Sequence, residues 1–420
     1  MAFLYAMVAV ILEWVNFHQR SRSIILRRLQ DELRDSQIKP INNIMNGKDT
    51  LVIASTGSGK SLIYQIPALV QNDTLTLVIE PTLALMHDQV ETLKKCGVEA
   101  EYIDSSLSGS KWPERMDQLA HKKFSLLYVT PEKLLNLDLA GNKIGMIVID
   151  ECHCVLDWGY SFREAYLKIG AYIESLKKRP IVVALTATAD EKDRKHIAEL
   201  LGMNHHKCYV NSLYRKNLIF VKEYALSKEQ KRVILNKYLK KYHRNSTIIY
   251  CNSRKAVDAV YDSVSKPHPK DVVKYHAGMN IEARTKSLDS FLCGYSHIMV
   301  ATTAFGMGVD QEKVDLVIHF NMPLSTIDYY QQAGRAGRDG QKAHCILLYS
   351  DDDYYVDKAI INSIEHFSAR KRALSRLDSM RDFCQDTEHC MVKTLLAELG
   401  EQYAKDCNHC LNCKKAGLDK

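Results

Sequence analysis

The chain has 420 residues, 46% hydrophobic and 25% charged, with 57 Lys and Arg against 50 Asp and Glu for a net charge of +7. These proportions belong to ordinary folded proteins and exclude wholesale disorder or a fibrous repeat, and the length exceeds one ordinary domain of about 150 residues. The mild positive excess permits nucleic-acid binding without demanding it.

The longest apolar run, residues 2–12, falls short of the roughly 20 apolar residues that a membrane-spanning helix needs. No Lys or Arg precedes it and no small-x-small cleavage pattern follows, so it reads as an N-terminal helix packed on the body rather than a signal peptide. Apolar runs at residues 50–54, 75–79, 126–129, 146–149 and 181–185 then predict strands, with a helix over 62–70 among the stretches between them. The runs alternate little with polar residues, the pattern of strands buried on both faces of a parallel sheet. The scheme repeats at 247–251, 272–275, 298–301, 316–320 and 345–349. Two such sets imply an α/β fold of two parallel-sheet lobes, joined near residues 211–217, with a helical pattern from 352 onward. The expected divisions are an N-terminal extension (1–24), a first, nucleotide-binding lobe (25–213), a second lobe (214–350) and a helical metal-binding module (351–420).

Ala54-Ser55-Thr56-Gly57-Ser58-Gly59-Lys60-Ser61 is a phosphate loop with Ala in place of the first Gly, lying between a strand and a helix. Its glycines let backbone N–H groups turn toward phosphate oxygens, and the helix N-terminus adds its dipole. Lys60 suits the β- and γ-phosphates of ATP, and Ser61 suits magnesium. Asp150-Glu151-Cys152-His153 follows the strand at 146–149. There Asp150 is placed to hold magnesium and Glu151 to orient and deprotonate an attacking water. In the second half, Gln331-Gln332-Ala333-Gly334-Arg335-Ala336-Gly337-Arg338 sets arginines among glycines, so that Arg335 and Arg338 suit charge developing on a transferred phosphoryl group.

Of twelve cysteines, five crowd the last 37 residues, which reads as a metal site in an intracellular protein rather than a disulfide scaffold. Cys390, Cys407, Cys410 and Cys413 are spaced by 17, 3 and 3. Four thiolates suit zinc with no open position, hence a structural role; Cys384, His389 and His409 are spare candidates. The helical stretch 369–380 carries Arg370, Lys371, Arg372 and Arg376, either a DNA-backbone contact or a solvated basic face.

Together these motifs resemble the RecQ family of superfamily 2 DNA helicases over nearly the whole chain. Arg34 and Gln37 resemble its adenine-recognition motif, Glu80 to Gln89 motif Ia, Val129-Thr130-Pro131-Glu132 motif Ib, and Thr186-Ala187-Thr188-Ala189 motif III. Tyr250-Cys251-Asn252-Ser253-Arg254 with Tyr275-His276-Ala277-Gly278-Met279 matches motif IV and its neighbour, Ala301 to Asp310 motif V, and Gln331 to Arg338 motif VI. Trp158-Gly159-Tyr160-Ser161-Phe162-Arg163 resembles the aromatic-rich loop that couples single-stranded DNA to ATP hydrolysis, in keeping with base stacking on exposed rings. The sequence departs from the pattern at Gln30, where an aromatic is usual, and at Cys152, Asp157 and Thr303.

The resemblance implies two RecA-like lobes with ATP between them and a zinc module after them. It implies 3′-to-5′ unwinding of DNA in recombination, repair or replication. It assigns catalysis to Lys60, Asp150, Glu151, His153, Gln331, Arg335 and Arg338, and nucleotide binding to Arg34, Gln37, Thr56, Gly57, Ser58, Gly59, Lys60, Ser61 and Asp310. Contacts to DNA fall to Trp158, Phe162, Arg163, Asn252, Ser253, His276 and Thr302. ATP, magnesium and zinc are the expected cofactors. Single-stranded and branched DNA and a single-strand binding protein are the expected partners of a monomer in the cytoplasm or nucleus, away from membranes. The winged helix and further helical domain usual after the zinc module are expected to be absent. Rival readings are an RNA helicase of the same superfamily and a nucleotide-switched DNA-binding ATPase that does not unwind.

Overall fold

The computed structural model describes residues 33–418 except 56–57, 72, 105–106, 108–110, 140, 157–163, 244, 268–270 and 306–312. The extension at 1–24 with its expected helix, Gln30, Thr56, Gly57, Trp158, Phe162, Arg163 and Asp310 lie outside the described residues. The chain divides into two compact units, residues 1–212 and 213–420.

In the first unit seven strands, β1 (Thr50–Ile53), β2 (Leu75–Ile79), β3 (Ala100–Ile103), β4 (Leu126–Val129), β5 (Ile144–Ile149), β6 (Ile181–Thr186) and β7 (Lys207–Val210), form one sheet in the order β3-β4-β2-β5-β6-β1-β7. Every pairing is parallel, so the connections must cross the sheet faces, and helices cover both. Successive residues of a strand point to opposite faces. Leu51, Leu77, Leu127 and Ile147 accordingly enter one apolar core, and Val52, Val78, Tyr128 and Val148 enter the other.

In the second unit β8 (Leu218–Tyr224), β9 (Thr247–Tyr250), β10 (Val272–Tyr275), β11 (Ile298–Ala301), β12 (Leu316–His319) and β13 (Ala343–Tyr349) form a parallel sheet in the order β10-β11-β9-β12-β13-β8. One face carries Ile249, Val300, Ile318 and Ile346. The other carries Ile248, Met299, Val317 and Leu347, and its core continues through Met380, Phe383, Leu395 and Leu396 to Cys390 and Cys410. The C-terminal helices Phe367–Gln385 and Met391–Glu398 therefore share a core with this sheet. Polar ties reinforce the joint: Lys222 of β8 donates from Nζ to Phe383 O (2.5 Å) and to Asp386 O, and His409 Nε2 meets Leu218 O at 3.1 Å.

All ten expected strands are present, and among the described residues three more, β3, β7 and β8, stand at sheet edges. Among the described residues no helix is long and apolar enough to cross a membrane.

Candidate nucleotide and metal sites

Parallel sheets collect ligand-binding residues at the carboxyl ends of their strands. In the first unit that edge holds the phosphate loop after β1, Glu80 after β2, Thr130 after β4, Asp150 after β5 and Thr186 at the end of β6. The loop enters the helix Lys60–Val70 through Gly59, whose φ of +79° is left-handed and costs glycine nothing. A Cβ there would lie 2.6 Å from Gln37 Nε2.

Gln37 packs on the loop itself. Its Nε2 donates to Gly59 O (3.0 Å) and Ser58 O (3.4 Å), its Oε1 accepts from Arg34 N (3.0 Å), and Arg34 Nη1 donates to Ser58 O (3.1 Å). The residues that the resemblance gives to adenine thus grip the phosphate-loop backbone. Gln37→Ala is accordingly expected to raise the KM for ATP and for GTP alike, by about fivefold for roughly 1 kcal/mol of lost hydrogen bonding. Comparing the two nucleotides checks this; a loss of base discrimination at unchanged KM for ATP would contradict it.

Lys60 Nζ and Ser58 Oγ are buried with no hydrogen-bond partner among the described residues. Unpaired buried polar atoms are costly, and phosphate oxygens would satisfy both, so the loop fits a nucleoside triphosphate. Glu151 Oε1 lies 3.8 Å from Lys60 Nζ. Glu151 also holds a φ of +46°, a left-handed backbone for a residue other than glycine; strain of that kind, on the order of 1–3 kcal/mol, gathers at functional sites. Its other oxygen is 3.3 Å from His153 Nδ1, which meets Thr186 Oγ1 at 2.9 Å. His153 thereby links the acidic motif to motif III.

Asp150 is 4% exposed. Burial first, and then the charge of Glu151, push its carboxyl up to about 6 against the pull of Lys60. Behind it stands Glu80, fully buried, its carboxyl raised well above the ordinary range by burial first and then by the charges of Asp150 and Glu151. Gln89 Nε2 donates to Glu80 Oε1 (3.3 Å), while Gln89 Oε1 accepts from Tyr64 (2.8 Å), Tyr128 (3.2 Å) and Gln65 (3.3 Å). This network joins the helix after the phosphate loop to motif Ia and to Tyr128 of β4. Glu80 and Gln89 are signalled in sequence only as the ends of motif Ia; Tyr64, Gln65 and Tyr128 give no signal, since they lie 24 to 39 residues from Gln89.

In the second unit Gln331 lies in the last turn of the helix Thr326–Ala333, and Arg335 and Arg338 follow, half-buried. Burial raises the Tyr250 hydroxyl, and the charges of Arg335 and Arg338 draw it back, with Arg335 hydrogen-bonded to it. The arginine loop is clamped by residues that the sequence suggests only as a joint. Arg215 donates to Gly334 O (2.7 Å), Ala336 O (2.9 Å) and Gly337 O, and Asn217 Nδ2 donates to Gly337 O (2.8 Å) and Gln341 O (2.8 Å).

Asn252, Ser253, His276 and Thr302 come together on the neighbouring strand ends of β9, β10 and β11. Asn252 is exposed; Ser253 Oγ caps the helix Arg254–Ser265 by accepting from Ala256 N (3.2 Å). Thr302 Oγ1 accepts from Ala304 N (3.4 Å). His276 is 7% exposed, its Nδ1 accepting from Gly278 N (3.2 Å) and its Nε2 3.4 Å from Asp258 Oδ1, which makes it a support of its own turn.

The Sγ atoms of Cys390, Cys407, Cys410 and Cys413 all lie within 4.8 Å of one another. Cys407 and Cys413 stand 3.9 Å apart, about the S···S edge of a tetrahedron with metal–sulfur bonds of about 2.3 Å and far beyond a disulfide. Backbone N–H groups of Cys407 and Cys410 point at Cys390 Sγ and Cys407 Sγ (3.3 Å each), and such donors favour thiolates. The donor set fits zinc, held by all four sulfurs. His409 is spent on Cys407 O (2.6 Å) and Leu218 O, and His389 on Asp386.

Residues 34–197 match the family model of DEAD/DEAH box helicases, 230–340 that of the helicase conserved C-terminal domain, and 352–414 that of RecQ zinc-binding. The ATP-dependent DNA helicase RecQ of Bacillus subtilis (strain 168) is 34% identical over 388 residues, 91% of this chain and 65% of that protein. The chain thus spans just under two thirds of this relative's length. R290 of Acanthamoeba polyphaga mimivirus, named provisionally as an ATP-dependent RNA helicase, is 34% identical over 391 residues, 91% of this chain and 70% of its own. In structure the chain resembles Saccharomyces cerevisiae Dbp5 bound to RNA and ADP-BeF3, with a TM-score of 0.60 at 16% identity over 87% of this chain and 98% of that one, which speaks for the fold alone.

Proposed function

The chain belongs to the RecQ family of helicases, and on that premise we propose that it is an ATP-hydrolysing DNA helicase that moves 3′ to 5′ along single-stranded DNA and opens duplexes. The observation that carries the reading is the buried, unsatisfied Lys60 ammonium in a phosphate loop, faced by Glu151 with Asp150 beside it. Lys60 and the loop N–H groups hold the triphosphate. Glu151 orients and deprotonates the attacking water, with His153 fixing its carboxylate. Ser61 and Asp150 would hold a magnesium ion, which neutralises phosphate charge when bound. Arg335 and Arg338 stabilise the transferred phosphoryl group. On DNA, Asn252, Ser253 and the helix N-terminus after them suit the phosphate backbone, His276 and Thr302 support that edge, and Trp158, Phe162 and Arg163 suit base stacking. The proposed form is a monomer acting on single-stranded and branched DNA, with a single-strand binding protein beside it.

Strand displacement of a fluorescent partial duplex with a 3′ tail tests this. ATP-dependent release is expected. ATPase stimulated by RNA and not by DNA would favour the RNA-helicase reading, and DNA-stimulated ATPase with no release would favour a switch that does not unwind. Arg338→Ala is expected to bind nucleotide normally and to hydrolyse it about 10³–10⁵-fold more slowly. Loss of ATP affinity at unchanged saturated turnover would contradict its assignment.

A further inference from the structure

We infer that Asp357, in the C-terminal helix Asp351–Asn362, is a positioning residue for nucleic-acid binding, holding Asn252 at the carboxyl end of β9. The inference rests on the reading of Asn252 as a DNA contact. Asn252 is exposed, and Asp357 is 1% exposed. Asn252 Nδ2 donates to Asp357 Oδ1 at 3.2 Å, and Asn252 N donates to Asn321 Oδ1 at 3.4 Å. Asn321 is fixed in turn, its Nδ2 donating to Asp353 Oδ1 at 3.0 Å. Asp353 accepts through Oδ2 from Met322 N (3.2 Å), from Ser350 N (3.1 Å) and from the buried Lys231 ammonium. An exposed asparagine is thus gripped on both backbone and side chain by a buried array.

Asp357 is an expensive way to do this. A buried carboxyl wants several donors, yet its Oδ2 has no hydrogen-bond partner among the described residues. Burial, and the charge of Asp353 beside it, push its carboxyl up to about 7. For stability alone an apolar side chain would serve as well or better, because replacing imperfectly paired buried charge by hydrocarbon is often neutral or stabilising. What hydrocarbon cannot do is accept from Asn252. The contact also runs from the segment matching the helicase C-terminal domain to the segment matching RecQ zinc-binding. The metal-bearing part of the chain therefore reaches, through one hydrogen bond, a loop proposed to touch DNA.

Three variants, read by fluorescence anisotropy with labelled oligo(dT) and by thermal melting, test the inference. Asp357→Leu is expected to weaken DNA binding about three- to tenfold, the value of one hydrogen bond, with its melting temperature held or raised. Asp357→Asn, which keeps an acceptor for Asn252, is expected to recover most of the affinity. Asn252→Ala is expected to lose at least as much as Asp357→Leu. Normal binding by Asn252→Ala would remove the DNA role of Asn252, and the inference with it. If Asn252→Ala binds weakly and Asp357→Leu normally, the positioning role alone is overturned. If Asp357→Leu loses affinity and melting temperature together and Asp357→Asn repairs neither, Asp357 is a structural residue.

Discussion

Lys60→Ala is expected to reduce DNA-stimulated ATP turnover by at least about 10²–10³-fold, the usual cost of removing one preorganised group that stabilises developing charge. The fold should survive the change. The Lys60 ammonium makes no hydrogen bond within the described residues, so its removal leaves no hydrogen-bond acceptor without its donor. It does leave Asp150 and Glu151 facing one another without their nearest cation. The charge of Lys60 is one of the influences that lower the Asp150 carboxyl against burial and Glu151, so in the variant that carboxyl is expected to rise further. Turnover at saturating oligonucleotide, with the melting temperature alongside, measures both halves of the expectation. A folded variant with near-normal turnover would remove Lys60 from the reaction.

Zinc removal is expected to unfold the second unit well beyond the cysteine knuckle. Structural zinc sites supply apparent binding energies of about 10–16 kcal/mol, comparable to the roughly 5–15 kcal/mol that holds a whole domain. Cys390 and Cys410 belong to the same apolar core as Val317 and Leu347 of the sheet, through Phe383, Leu395 and Leu396, so that loss is felt by β12 and β13. Without the metal, the four crowded sulfurs cannot all be thiolates: burial and its neighbours push Cys413 up to about 12, while hydrogen bonds from Cys407 and Cys410 pull Cys390 far down. Cys407→Ser, or chelation, should lower the melting temperature of the second unit and expose it to protease while residues of the first unit persist as a fragment. Protein that contains no zinc and melts normally would sink the assignment.

The chemistry-bearing motifs are legible in sequence because each is local. The phosphate loop, Asp150-Glu151 and the Cys-x-x-Cys steps need fixed residue types at short fixed spacings, set by one turn around one phosphate or one metal. What surrounds them is not local. Gln37 reads as part of the adenine motif, and only the structure shows its bonds to Ser58 and Gly59 of the phosphate loop. Glu80 reads as part of a motif, and only the β2–β5 pairing brings it to Asp150. Arg215 and Asn217 read as a joint, and clamp a loop about 120 residues onward.

Strands divide along the same line. Every central strand is a mainly apolar run, because both of its faces are covered and few positions are left for a polar side chain. The three strands that carry no such signal are edges. β7 is exposed along most of its length, β3 is only half-buried in its middle, and β8 is broken by Lys222 and Glu223. Sequence by itself determined the α/β class, the central strands, the phosphate loop, the acidic pair, the arginine loop and the four cysteines, since burial and ligand geometry each write a short pattern. Tertiary structure alone decided the edge strands, the Glu80–Gln89 network, the Arg215 clamp, the grip of Asp357 on Asn252 and the core shared by the zinc cysteines and the second sheet. Those depend on partners far apart in the chain, and a hydrogen bond or a packed pair between distant residues leaves no periodicity in either segment that makes it.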